Sequence, residues 1–318
     1  MRTAQILMRA VGMLGLLTIS FGGQALAQAP PVSITGPMAN PVLPESAQKI
    51  SENVYVIMGF PNVAIVVGNR ATLVVDTGMG PKNGETVAKE AQKLASNHIL
   101  YLTTTHYHPE HASGDSGFPT DTILIRPSVQ QEEVEKDGMR MVDLFRSRSA
   151  QNAGLLQGVK FRTPDIVFDK ETTLDLGGVT ARLTWMGAAH TAGDELIYVA
   201  PDKTLIPGDI VQNKMLPNLP GANANLTNWI DILGQLRSLD VTHVVPDHGD
   251  LGDGSLIPQE YSFLNDLKTR TLELKKQGKS AQEAGATVLD EFKTKYANWP
   301  NLQGIPGLVS RIYSENPR

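Results

Sequence analysis

Thr103-Thr104-Thr105-His106-Tyr107-His108-Pro109-Glu110-His111 follows directly on the apolar run Ile99-Leu100-Tyr101-Leu102. Three histidines and a carboxylate fall within the six residues 106–111, at what reads as the end of a β-strand. In an extended or turning loop, alternate residues share a face, so His106 and His108 point the same way. Glu110 and His111 then turn toward a second point nearby. Neutral imidazole and carboxylate are ligands that suit zinc and its neighbours in the transition series. One short loop can therefore feed two metal positions.

Three distant segments repeat the pattern of an apolar run ending on a ligand-type residue. His190 lies in Gly187-Ala188-Ala189-His190-Thr191-Ala192-Gly193-Asp194, after the run ending at Trp185-Met186. Asp209 lies in Leu205-Ile206-Pro207-Gly208-Asp209, and His248 in Val244-Val245-Pro246-Asp247-His248-Gly249. Five of the seven histidines occupy these contexts. The other two, His98 and His243, stand at the edges of apolar runs and read as structural.

The surrounding chain alternates short β-type runs with helical spacing. Val54–Ile57, Ala64–Val67 and Thr72–Val75 are strand-like, punctuated by Gly59, Pro61, Gly68 and Asn69. Residues 81–96 have the spacing of a helix, and Ile99–Leu102 and Ile123–Ile125 follow as strands. Residues 128–160 are polar and helix-prone, with Met139, Met141, Leu144 and Phe145 near one face, and form an expected insertion beside the histidine loop. Strands return at Thr172–Leu176, Val179–Trp185, Leu196–Val199, Thr204–Ile206 and Val241–Val245, with an amphipathic helix over Leu226–Leu239. Residues 258–296 read as two helices joined near Gly278, with Ser280 as an N-cap. Two strand blocks, each followed by helices, predict an α+β fold of two mixed sheets with helices outside.

The set His106, His108, Glu110, His111, His190, Asp209 and His248 resembles the metallo-β-lactamase fold superfamily of metallohydrolases, over roughly residues 50–255. Val74-Val75-Asp76-Thr77-Gly78 resembles that family's early Asp-Thr-Gly element. The resemblance implies an αββα sandwich with the site at strand ends between the sheets. It implies that His106, His108 and His190 hold a first metal, that Glu110, His111 and His248 hold a second, and that Asp209 bridges them. Asp76 is then the outer carboxylate that orients the loop. The family usually has Asp where this chain has Glu110, and Gly where it has Asp247. Two zinc ions are the expected cofactor, although iron and manganese accept the same ligands. The implied chemistry is attack of metal-acidified water on a carbonyl or phosphorus, with Glu110 and Asp209 as the carboxylates nearest the reaction. Two other functions fit the same ligands: a periplasmic metal-binding accessory protein with little turnover, and a mono-iron oxygenase.

Composition narrows the setting. The 318 residues carry a net charge of -5 and give no basic footprint for nucleic acid. No basic cluster accompanies the ligands, and the segment from Gln212 to Asn228 carries Met215, Leu216 and Leu219. We therefore expect a small neutral or weakly charged ester, lactone, amide or β-lactam at an apolar mouth. There is no cysteine, which excludes disulfides, thiolate ligands and a cysteine nucleophile. Arg2 and Arg9, the apolar stretch from Val11 to Phe21 and Ala25-Leu26-Ala27 have the pattern of a signal peptide cleaved after Ala27. The expected organisation is a signal peptide over 1–27, an arm over 28–48, a metal-binding domain over 49–257 and a helical extension over 258–318 packed on it. The expected location is periplasmic or secreted, with no stable membrane anchor after cleavage.

Overall fold

Val, Ile and Leu recur along the strand-like runs because β-branched and large apolar side chains pack well on a pleated surface. The structure, a computed structural model, describes residues 40–95, 97–219, 221 and 223–315. The expected signal peptide and residues 28–39 of the expected arm lie outside the described residues.

The first sheet runs in chain order from β1 (Gln48–Lys49) through β2 (Val54–Ile57), β3 (Val63–Val67), β4 (Ala71–Val75), β5 (Ile99–Thr103) and β6 (Ile123–Pro127) to β7 (Ile166–Phe168). Pairing is antiparallel as far as β4 and parallel from β4 to β7. The second sheet has the order β12 (His243–Val244), β11 (Thr204–Ile206), β10 (Glu195–Val199), β9 (Thr180–Trp185), β8 (Glu171–Asp175). Only its β11–β12 pair is parallel. Both sheets are mixed, as expected.

Two-residue periodicity decides which layer each side chain joins. Val54, Val56, Ala64, Val66, Leu73 and Val75 face Ala181, Leu183, Ile197, Val199 and Ile206, closing a core between the sheets. The alternate residues Ile57, Val63, Ile65 and Val74 pack on α1 (Pro81–Leu94). On the outer face of the second sheet, Leu196, Leu205 and Val244 meet α6 (Leu226–Leu236), α7 (Leu256–Lys276), α8 (Ala281–Lys295) and α9 (Ile305–Ser314). The result is helix, sheet, sheet, helix.

Ser280 caps α8 in a full capping box with Glu283. Residues 128–160 fold as α3 (Ser128–Glu133), a π-helical turn over Val134–Gly138, α4 (Met139–Arg148) and α5 (Ala150–Leu155). Of the apolar face expected there, Met141 and Phe145 are buried while Met139 is exposed. β1, β7 and α9 were not anticipated. The first is two exposed residues with no periodicity, and β7 is an edge strand with Ile166 and Val167 exposed. Helix α9 had a signal, because Ile305, Leu308, Val309 and Ile312 have helical spacing. Residues 40–48, expected as the end of an arm, place Leu43 in the α1 core, where its amide donates to Asn83 Oδ1 at 3.0 Å.

One buried group in the helical layer is poorly accommodated. Glu260 on α7 is fully buried, and neither carboxyl oxygen has a hydrogen-bond partner. Burial first, and the charge of Asp209 second, push its pKa well above the ordinary value. The unfolded chain then loses this proton at lower pH than the native chain. Native stability therefore falls as pH rises above the ordinary glutamate value, by up to about 1.4 kcal/mol per pH unit until the native group ionises. In Glu260→Gln that loss is absent. Denaturant unfolding should show the variant gaining on the parent between pH 4 and pH 8. A difference that stays flat across that range contradicts the assignment.

Candidate metal centre

Every ligand-type residue singled out in the sequence arrives at one place, at the ends of strands. β5 runs out into Thr104, Thr105, His106 and His108. Pro109 then starts the single-turn helix α2 (Pro109–Ala112), where a missing amide hydrogen costs nothing. That turn brings Glu110 and His111 to the site, with the His111 ring 4.0 Å from that of His106 between centroids. The loop after β9 brings His190, the turn after β11 brings Asp209 and the segment after β12 brings His248. Gly208 lets Asp209 in close. Its φ is +60°, and a Cβ there would lie 2.8 Å from Thr105 Cβ.

The side chains form two adjoining donor sets. His108 Nδ1 lies 3.0 Å from His106 Nε2 and 3.2 Å from His190 Nε2. Glu110, His111 and His248 form a second set whose ligand atoms lie within 4.8 Å of one another. Asp209 stands between, with Oδ2 3.2 Å from His190 Nε2 and Oδ1 3.4 Å from His248 Nε2. All seven residues are buried, none more than 7% exposed. His98 and His243 join no such set.

Electrostatics suit these groups to ligation. Burial first, and the neighbouring imidazoles second, hold His106 and His108 well below the usual histidine range. Burial takes His248 down to about 4 despite the charge of Asp209. These rings are therefore neutral at pH 7, the form a metal requires. Burial works to raise Asp209, but His248, His190 and His111 outweigh it and hold the carboxylate low. Burial raises Glu110. His111 differs: burial pulls it down, but Asp76 and Asp247 outweigh burial and raise it well above the usual range.

Outer contacts fix which atoms point inward. Asp76, itself at a positive φ of 72°, lies 2.9 Å from His111 Nδ1 and accepts the Thr105 amide at 2.7 Å. With Nδ1 occupied in this way, His111 Nε2 is left for a metal. His190 Nδ1 donates to Asn218 O at 2.8 Å, which leaves Nε2 inward in the same way. Phe60 stacks on His248 at 4.4 Å between centroids, and Asn62 holds the His248 segment by donating to Pro246 O and Gly249 O.

Sequence reasoning left Asp247 between the site and solvent. It is 1% exposed, accepts the Thr105 hydroxyl at 2.8 Å and lies 3.2 Å from His111 Nδ1. His111 thus has two outer carboxylates rather than one. Three other supporting residues were missed. Asp194 accepts the Ala189 and Thr191 amides and shapes the His190 turn. From α3, Glu133 accepts the Ala192 and Gly193 amides, and Gln130 donates to Thr104 O and Gly193 O. The insertion therefore grips both ligand loops. The one available signal was Asp194 four residues after His190, a turn-type spacing.

The residues present fit a metal centre. Imidazole nitrogens of His106, His108 and His190 converge at 3.0 and 3.2 Å, with Asp209 Oδ2 3.2 Å from His190 Nε2. Glu110 Oε2, His111 Nε2 and Asp209 Oδ1 are buried with no hydrogen-bond partner. Buried polar atoms are normally paired, so this concentration of unpaired ones marks a cation site.

Comparison with known proteins agrees with the geometry. The chain is 24% identical over 208 residues to a linear primary-alkylsulfatase of Pseudomonas sp. (strain ATCC 19151), a match covering 56% of this chain and 39% of that protein. Among solved structures, a stereoselective inverting sec-alkylsulfatase from Pseudomonas sp. superposes with a TM-score of 0.62 at 16% identity, over 76% of this chain and 44% of the other. A metallo-beta-lactamase from Pontibacter korlensis superposes with a TM-score of 0.57 at 21% identity, over 70% of this chain and 99% of the other. The chain thus spans less than half the length of the two alkylsulfatases. A family model described as the metallo-beta-lactamase superfamily matches residues 57–248, from β2 to the last histidine of the centre, and the chain belongs to that superfamily.

Proposed function

We propose that this protein is a binuclear metallohydrolase acting on a small organic ester, lactone, amide, β-lactam or sulfate ester. The observation that carries the reading is Asp209, whose two oxygens each face a different donor set. His106, His108 and His190 would hold one ion, Glu110, His111 and His248 the other, and Asp209 would be shared. Divalent ions, zinc first, supply Lewis-acid polarisation of the substrate and bring the pKa of water from about 15.7 to about 7. Glu110 and Asp209, the two carboxylates among the donors, would be the groups placed to accept a proton from such a water. Asp76 and Asp247 hold His111 in the orientation this needs.

The surroundings favour a small organic substrate. Phe60 lies against His248 and Phe145 against His108, at 6.5 Å between centroids. Leu216 and Leu219, expected at the mouth, pack instead against the helical layer. Phe60 and Phe145 add aromatic surface from the β2–β3 loop and the insertion, while Met215 of the expected mouth segment lies beside Gly249, next to His248. Similarity to two alkylsulfatases is the reason sulfate esters are included. The leader-like residues 1–27 support an exported enzyme.

The test is a panel of carboxylic esters, lactones, β-lactams, alkyl sulfates, phosphodiesters and nucleic acids, run on zinc-loaded protein. Turnover is expected in one of the first four classes, and its loss on chelation. Turnover confined to phosphodiesters or nucleic acids overturns the reading.

A further inference from the structure

Helix α4 carries Arg140, Arg146 and Arg148 and ends at the last of them, beside the metal centre. The first two arginines are neutralised locally. Arg140 pairs with Asp137 and Arg146 with Asp143, in each case three residues back. Three residues back from Arg148 stands Phe145, not an acid. The Arg148 guanidinium lies 3.7 Å over the Phe145 ring, close enough for a stacked cation–π contact. Phe145 is buried, and the His108 ring lies 6.5 Å from it between centroids. Arg148 itself is exposed and, among the described residues, has neither an ion-pair partner nor a hydrogen bond.

The contact leaves donors free: with its carbon 3.7 Å from the ring centroid and no hydrogen bond among the described residues, the guanidinium offers its planar N–H fork, which matches an oxyanion in bidentate fashion. The charge also reaches the centre: it is among the influences that pull down the pKa of both His108 and Glu110. A cation this close to buried ligands, yet unpaired and exposed, has no evident structural task. Arg140 and Arg146 show what a structural arginine on this helix does.

We propose that Arg148, braced on Phe145, is the specificity-determining residue of the substrate mouth and recognises a single oxyanion, carboxylate or sulfate, carried by the substrate. This rests on the hydrolase reading above and narrows it to singly anionic esters, lactones, amides or sulfate esters. The oxyanion is met beside His108, on the insertion side of the centre. The aromatic rim receives the uncharged remainder.

The experiment compares parent, Arg148→Ala and Arg148→Lys, each zinc-loaded. Three chromogenic substrates are used: 4-nitrophenyl hydrogen succinate, the uncharged 4-nitrophenyl pentanoate and 4-nitrophenyl sulfate. Binding of 4-nitrobenzoate by calorimetry is measured in parallel and needs no turnover. Arg148→Ala should lower the ratio of kcat/KM for the succinate over the pentanoate about tenfold or more, through KM, with partial rescue in Arg148→Lys. If the recognised group is the scissile sulfate, the large fall appears with the sulfate substrate and in kcat as well. A ratio unchanged with both anionic substrates overturns the proposal. If the parent turns over none of the three, the hydrolase reading is left to the wider panel above, and 4-nitrobenzoate decides the subsite: weaker binding in Arg148→Ala upholds it, and equal binding overturns it.

Discussion

Replacing either His108 or His190 by alanine is expected to remove at least about three orders of magnitude of hydrolytic rate while leaving the fold intact, because the Lewis-acid contribution at stake is worth several kcal/mol. Both rings belong to the set in which His108 Nδ1 meets His106 Nε2 and His190 Nε2. Taking one away leaves two imidazoles, too few for a closed set around one ion. The fold has other supports. The core between the sheets is built from Val54, Val56, Leu73, Leu183 and Ile197, none of which touches these rings through that cluster. Far-UV circular dichroism should therefore match the parent, and bound metal should fall. His190→Ala carries a second effect, since its Nδ1 hydrogen bond to Asn218 O is also lost and the hold on the segment ending at Asn218 weakens. Parental turnover in either variant contradicts the site.

Removing the metal is expected to lower the unfolding temperature by an amount on the order of 10 °C. A ligand that binds only the native state stabilises it by RT ln(1 + [L]/Kd), about 4 kcal/mol at a free concentration 1,000 times Kd, and a domain of this size shifts by about 2–4 °C per kcal/mol. The stripped centre is also strained by its own charges. Asp76, Asp209 and Asp247 lie within one buried cluster with Glu110. Asp247 feels Asp76 strongly enough, on top of burial, to be raised well above the carboxylate range. Scanning calorimetry before and after chelation, and again after zinc is returned, reads this directly. An unfolding temperature that does not move contradicts a metal-stabilised native state.

Much of the site was legible because it is made of rare residue types at strand ends. Histidine is scarce in this chain, and five of seven histidines fell in one kind of context. The ligand loop, the sheets and most helices follow from that and from apolar periodicity. What sequence did not carry is long-range and polar. Asp247 gains its place only when β12 is brought beside β11, so that Thr105 and His111 meet it. Glu133 and Gln130 read as ordinary surface residues of a polar helix until α3 docks on the His190 turn. There Gly193 admits the helix: a Cβ at that position would lie 2.4 Å from Gln130 Cα. β7 was hidden because, as an edge strand beside the insertion, it exposes Ile166 and Val167 and shows no alternation. Apolar residues after Asp209 can face substrate or core with equal ease: Leu216 and Leu219 are half-buried against the helical layer, while Met215 lies beside Gly249 at the site.

The central claim is a centre for two metal ions in which Glu110 serves where the family usually has aspartate. The most direct test is metal analysis by inductively coupled plasma mass spectrometry on protein equilibrated with zinc and freed of excess. It should be run on the parent, Glu110→Ala and Asp209→Ala. Two ions per chain are expected in the parent, one in Glu110→Ala, and one or none in Asp209→Ala. A parent that holds a single ion, with Glu110→Ala holding the same, contradicts the shared two-metal centre.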